Sequence, residues 1–306
     1  MIARLDTLRR HPGVFRSLTG LSVPVFDALT EDVLPLLAVA DVARLDHPDR
    51  ERAIGGGRTC GLTPVDQVLL AVVWLRVYPT DAVLAVLFGV SESAARRTRK
   101  RVVPVLAQAG KDGMRMPDPG RGKRKDLPAL AADTPGLGVL VDSFERPTHR
   151  PTTRQKRYYS GKKKRHTLKS QLVVDGGTGK VADVSVSVPG PTADVKLLKR
   201  SKVLRKVKRG VAVVGDLAYV GADKLKAGVV CVTPRRKPRG QPRSRADRAD
   251  NRRVWRRRIR VEHTIRRVRI FQAVTQVNRH RRQKHEDRVR AVAGLVNRLI
   301  DARPKN

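Results

Sequence analysis

The sequence predicts an all-α segment followed by an α/β domain built on a mixed sheet. Three observations carry that division. From residue 20 to about 108, apolar residues recur at three- and four-residue steps, the spacing of helices that bury one face. From residue 138 the pattern changes to short apolar runs bounded by glycine and proline, and beyond residue 245 it returns to helical spacing. Charge divides the chain in much the same way. Residues 1–100 hold 13 basic and 11 acidic side chains, whereas the whole chain holds 66 and 28, a formal net of +38. The excess therefore belongs to the later two-thirds, and so strong a field is tolerable where a polyanion or dense counterions neutralise it.

In LTPVDQVLLAVVWLRVY (62–78), Thr63 is placed to cap a helix and Pro64 to occupy its first position, with Val68, Leu69, Val72, Val73 and Leu75 on the apolar face. DAVLAVLFGVSESAARRTRKRVVPVL (81–106) reads as a short helix, a turn at Phe88-Gly89-Val90, and a second helix capped by Ser91. The second helix carries Arg96, Arg97, Arg99, Lys100 and Arg101. This is the helix-turn-helix plan, which sets a basic helix against DNA. An αα-hairpin inside a bundle would leave the same pattern. The stretch 111–136 is rich in proline, glycine and charge and reads as a linker. The expected division is a helical DNA-binding domain over 1–115, a linker over 116–136 and an α/β domain over 137–304.

Past the linker, GVLVD (138–142), HTLKSQLVVD (166–175) and KVADVSVSV (180–188) read as strands, the last two joined by the turn DGGTG. DVKLLKRSKVL (194–204) reads as a helix capped by Asp194 or Thr192. VAVVGD (211–216) and VVCV (229–232) are further short strands. The last 60 residues are helical, and EDRVRAVAGLVNRLI (286–300) places Val289, Val292, Ala293, Val296, Leu299 and Ile300 on one stripe. An antiparallel hairpin followed by a crossover helix and further strands is the mixed-sheet layout of a ribonuclease H-like fold.

Two of these runs end in aspartate, Asp142 and Asp216. Carboxylates at strand ends in a basic chain suit Mg²⁺ or Mn²⁺, hard cations held by a few carboxylates and by substrate phosphate oxygens. A third acid stands in RRVWRRRIRVEHTIRRVRIF (252–271), where nine arginines surround Glu262. At about 100° per residue, Trp255, Arg258, Glu262 and Arg269 fall within about 60° of one another, beside a stripe of Val254, Val261, Ile265 and Val268. The helix is thus expected to pack through valine and isoleucine and to present the glutamate at the margin. Taken alone, Glu262 could equally be an ion-pair partner that offsets local repulsion.

VDSFERP, RYYSGKKKRHTLKSQLVVD, PGPTADVKLL, GDLAYVG, TPRRKPRG and RVEHTI, in this order, resemble the DDE transposases of bacterial insertion sequences, in the branch named for insertion sequences 4 and 5. The likeness covers about residues 50–300. It implies that Asp142, Asp216 and Glu262 are the catalytic acids and the metal ligands. Trp255, Arg258, Glu262 and Arg269 match the family's Tyr-x-x-Arg-x-x-x-Glu-x6-Lys motif, with like residues at its first and last positions. The resemblance also implies two divalent ions, cleavage at the element's ends and joining of the freed 3′-hydroxyl to target DNA. The partners expected are double-stranded DNA, both the terminal inverted repeats and the target, and a second copy of the chain, since two ends must be brought together.

Arg258 and Arg269 are placed to hold phosphates beside Glu262. Tyr158, Tyr159, Lys162, Lys163, Lys164 and Arg165 combine aromatics with a basic cluster, suited to stacking on a distorted base and gripping its phosphates; a solvated basic hairpin reads equally well. Asp194 is expected as a helix cap, with a supporting role near the acids. Asp175 and Asp183 are expected in turn or surface roles, and Glu145 on the opposite side of its strand from Asp142. His280 and His285 lack metal-ligand spacing and are expected to contact phosphate, and 235–245 reads as a mobile DNA-contacting loop. Cys60 and Cys231 form no C-x-x-C pair, the start lacks a signal peptide, and no apolar run could span a membrane, so a cytoplasmic, nucleoid-associated protein is expected. A non-catalytic DNA-binding regulator or an inactive transposase remnant would share the charge but would have no need of three acids. A structural RNA-binding protein gives no reason for aspartates at two strand ends.

Overall fold

A computed structural model describes residues 3–46, 48–49, 53, 61–118, 138–208 and 210–304. Cys60 and most of the expected linker lie outside the described residues. The chain forms two compact units: residues 1–113 with 270–276 and 287–306, and residues 114–269 with 277–286.

The first unit is helical: α1 (Leu5–Arg9), α2 (Pro12–Thr19), α3 (Val23–Leu45), α4 (Pro64–Val77), α5 (Asp81–Phe88) and α6 (Glu92–Asp112). Two of its caps, Thr63 and Ser91, are those the sequence announces, and Thr80 adds a third. Thr63 accepts from the Asp66 amide, Thr80 from Val83 and Ser91 from Ala94, and Gly89 turns the chain with φ 59. From Asp66 to Leu75, α4 is buried on every side, so it is the unit's central helix.

The sequence division and the packing part company at the C-terminal end. Residues 137–304 were expected as one domain, but the residues from 287 onward, most of α11 (His285–Asp301), group with the helical unit. The reason is its apolar stripe. Val289, Val292, Ala293, Leu295 and Val296 are fully buried, and the helix approaches α6 so closely that a Cβ on Gly294 would lie 2.5 Å from the Gly110 Cα.

The second unit is a mixed sheet of β1 (Gly138–Pro147), β2 (Tyr159–Ser160), β3 (Arg165–Asp175), β4 (Val181–Val184), β5 (Val188–Pro189), β6 (Ala212–Val214) and β7 (Cys231–Val232), in the order β2-β3-β1-β6-β7. β4 and β5 pair with β3, so the single strand expected over 180–188 is two. β1 runs antiparallel to β3 and parallel to β6, which is parallel to β7. A short α7 (Gln155–Tyr158) precedes β2. The helix expected over 194–204 is likewise two, α8 (Asp194–Ser201) and α9 (Val203–Lys206), broken by Lys202 in the left-handed region. Leu198, Val203 and Leu204 pack with Val139, Val141, Val173 and Val213, covering one face of the sheet. α10 (Arg245–Arg269) buries Val254, Val261, Ile265 and Val268, as the wheel predicts, together with Thr264, whose hydroxyl donates to the Gly179 carbonyl at 2.7 Å. Among the described residues no helix is long and apolar enough to cross a membrane.

Candidate active site

β1 lies at the centre of the sheet, and its alternation sorts the site. Val139 and Val141 face the α8–α9 layer, so Leu140 and Asp142 project to the other face, where α10 reaches Asp142. Asp142 is not at a strand end as expected. It is the fifth residue of a ten-residue strand, paired with Leu172 of β3. The parallel register between β1 and β6 ends at Leu140 and Val214; carried two residues further, it sets Asp216 alongside Asp142. There β6 stops, and the Asp216 carboxylate caps a 3-10 turn by accepting from the Ala218 amide at 2.9 Å. Gly215 makes that exit possible, because a Cβ there would lie 2.7 Å from the Tyr219 Cβ. Tyr219 is buried and its hydroxyl accepts from the Gln171 amide at 2.9 Å.

Glu262 arrives from α10 through Arg258. One guanidinium nitrogen, Nη2, donates to Asp142 Oδ2 at 3.0 Å and to Glu262 Oε1 at 3.3 Å, so the two carboxylates share one cation. Arg258 is 13% exposed, Asp142 16% and Glu262 49%, a gradient from sheet to solvent. The Asp142 carboxyl is pushed up from 3.8 to about 6. Burial is the largest cause, Arg258 and the Ser143 amide oppose it, and the charges of Glu262 and Asp216 add to it. Asp142 therefore feels the charge of both other acids. Among the described residues, however, no three acids, histidines or cysteines stand close enough to hold a metal ion as they are. The donor chemistry fits a hard divalent cation, while Arg258 occupies the space between two of the donors.

Asp194 is not a side-chain cap. Its Oδ1 accepts from the Ser143 hydroxyl at 2.6 Å and from Lys169 Nζ at 3.0 Å, and Lys169 also donates to the Thr192 carbonyl. Ser143 follows Asp142 on the strand and so points to the opposite face. Asp194 thus braces β1 from behind the acids. Glu145 accepts from Thr167 at 2.7 Å, Asp175 accepts from two turn amides, and Asp183 pairs with Lys206, in keeping with the turn and surface roles expected of the last two.

The expected DNA contacts divide. Lys162, Lys163 and Lys164 are exposed in the turn before β3, as is Arg165 at the strand's first position, and Tyr159 is 45% exposed, but Tyr158 has the Arg282 guanidinium 4.8 Å from its ring centre. Trp255 is 60% exposed, and Arg269 is exposed seven residues beyond Glu262. In α6, Arg97 and Lys100 are exposed, and Arg96 is exposed with Asp81 and Glu92 as partners. Arg99 has turned inward: it donates twice to Asp81, lies 4.6 Å from the Trp74 ring centre and is buried in the helical unit, not exposed as a DNA contact would require. His285 is likewise fully buried against the Ser187 hydroxyl, 2.9 Å from its Nδ1, which rules out the phosphate contact expected of it. The 235–245 stretch is anchored at its start, where Arg235 exchanges backbone bonds with the Asn251 side chain and pairs with Asp247.

A ribonuclease H-like sheet with one acid on its central strand, one just past the neighbouring strand and one on a following helix, in a chain that also bears a helix-turn-helix, defines a class of nucleic-acid enzyme. Comparison with known proteins narrows it. Residues 141–297 match the profile of the DDE superfamily endonucleases, and residues 60–112 match that of the helix-turn-helix of DDE superfamily endonucleases. The chain is 30% identical over 283 residues to a probable transposase for insertion sequence element IS702 from Microchaete diplosiphon, covering 92% of this chain and 93% of that one. The protein belongs to the DDE superfamily endonucleases, among the insertion-sequence transposases.

Proposed function

We propose that the protein cleaves DNA at the ends of an insertion sequence and joins the freed 3′-hydroxyl to target DNA, with Asp142, Asp216 and Glu262 as its catalytic acids. The observation that carries this reading is the sharing of Arg258 by Asp142 and Glu262, with Asp216, two residues past the end of β6, close enough for its charge to act on Asp142. Divalent ions, two by the family resemblance, would be held by these carboxylates and would supply activation of the nucleophile and neutralisation of charge in an in-line displacement. Holding them requires Arg258 to leave its position between the acids, whereupon its guanidinium is free for a phosphate oxygen. In the first step a water oxygen bonds to phosphorus and the bond to the 3′-oxygen breaks, leaving a 3′-hydroxyl and a 5′-phosphate. In the second, that 3′-hydroxyl attacks a target phosphodiester and the target's own 3′-oxygen leaves with a proton. The chain's residues position phosphates: Arg258 and Arg269 at the acids, Lys162–Arg165 with Tyr159 at the hairpin, and Arg97 and Lys100 on the helix-turn-helix. Residues 1–115 would bind the element's terminal repeats, 137–304 would carry the chemistry, and a homodimer would pair the two ends.

The test is cutting of an element-end duplex in the presence of Mg²⁺ or Mn²⁺. Asp142→Ala, Asp216→Ala and Glu262→Ala should each lower strand cleavage by at least about 10²–10³-fold, the scale on which removal of one stabilising group acts, while DNA binding remains. Cutting that persists in any of the three variants would refute the assignment of that acid.

A further inference from the structure

The N-terminal half of α10 holds a charged surface that the acids do not explain. Arg245, Arg248, Arg252 and Arg256 are spaced by three, four and four residues, line one groove and are all exposed. At about 100° per residue they fall within about 80° of helical arc. None of the four has an acidic partner among the ion pairs of the described residues. The acids of the same turns, Asp247 and Asp250, face away and pair with Arg235, and Asp250 also approaches Arg253 at 3.8 Å. Like charges four residues apart on a helix repel, so this row is destabilising to the free protein and is relieved only by an anion laid along it. A helix that needs solubility alone would mix its signs.

The row also has a direction. It spans about 16 Å of helix axis on a face other than that of Glu262, which lies about 9 Å beyond Arg256 along the axis and about 120° from it around the helix. One DNA strand carries a phosphate about every 3.4 Å of duplex axis, so several consecutive phosphates fit along it. We infer that Arg245, Arg248, Arg252 and Arg256 form a phosphate-tracking ridge that grips duplex DNA by its backbone. The inference rests on the proposed DNA-cleaving function, but binding without chemistry tests it. The ridge reads charge and spacing, so its contribution is the same for every sequence, unlike that of the helix-turn-helix.

The experiment measures affinity for a duplex of unrelated sequence against salt concentration, in EDTA. Replacing all four arginines by glutamine keeps good helix formers in place. It should make the slope of log affinity against log salt shallower by about 3.6, about 0.9 for each of four phosphates no longer neutralised. A charge-matched control replaces the exposed Lys196, Lys199, Arg200 and Arg205 of α8 and α9 by glutamine, and should leave the slope near that of the wild type. An unchanged slope in the ridge variant, or an equal change in the control, overturns the ridge. Should the fourfold variant not fold by circular dichroism, the pair Arg245→Gln and Arg256→Gln should give about half the change, and its absence overturns the inference equally. Since no divalent ion is present, these outcomes are independent of whether Asp142→Ala still cuts.

Discussion

At the residue scale the decisive group is Asp142, where burial outweighs an arginine at 3.0 Å. Its carboxyl titrates near 6 in the folded chain and near the ordinary 3.8 when unfolded. The folded chain therefore keeps the proton longer, and the stability this contributes is full below about pH 4 and lost as pH rises through about 6. A shift of about two units corresponds to about 3 kcal/mol at neutral pH, as an upper bound. Asp142→Asn removes the ionisation. In EDTA its melting temperature should exceed that of the wild type at pH 7.5, and the advantage should shrink at pH 4.5. An advantage equal at both values would show that the buried charge is not what strains the site. The sequence points to Asp142, Asp216 and Glu262 by residue type and family pattern, and the folded chain brings Asp142 and Glu262 onto one arginine. The place of Asp142 within its strand was not legible in the sequence, because the polar half that follows it, Ser143 to Arg146, resembles a loop until Thr167 and Lys169 of β3 are seen to partner it. Arg99 was misplaced for a related reason. Within a run of exposed arginines, only the packing of Asp81 and Trp74 distinguishes the one that turns inward.

At the element scale, the helices that read cleanly are those whose polar and apolar faces separate. α10 buries Val254, Val261, Ile265 and Val268, the stripe its spacing announces, because an arginine-rich helix has one face only with which to pack. The strands read less well: β4 and β5 fall in one alternating run, and nothing local shows that the chain leaves β3 and rejoins it. Nor did the glycines of α6 and α11 signal their purpose, since a helix glycine reveals a close approach only once its partner is known. Gly294→Ala would set a Cβ 2.5 Å from the Gly110 Cα, a backbone atom that cannot rotate aside. The two helices must separate, and the cost should be about 1–3 kcal/mol, the range for overpacking a filled core. Chemical denaturation should register this as a lower midpoint with the slope unchanged. A variant as stable as the wild type would mean that α11 is not held against α6 at this point.

At the scale of the whole molecule, the packing units do not follow the order of the chain. The endonuclease profile runs to residue 297, yet residues 287–306 are packed with the helical unit, and so are 270–276, where Phe271 is fully buried with Arg76 over its ring. Sequence order could not reveal this, because a stripe of valines states that a helix is covered and not by what. The magnitude is large. Val289, Val292, Leu295 and Val296 are each fully buried, and at about 1.5–3 kcal/mol apiece they account for roughly 6–12 kcal/mol of burial as an upper estimate. That is comparable with the whole stability of a domain, about 5–15 kcal/mol. A fragment of residues 1–113 should therefore lack a cooperative thermal transition, although it contains the complete helix-turn-helix. Adding a peptide of residues 270–304 in trans should restore the transition, with a midpoint that rises with peptide concentration as mass action requires. If residues 1–113 melt cooperatively by themselves and the peptide leaves the midpoint unchanged, the C-terminal segment is not part of the core that holds the DNA-binding helices together.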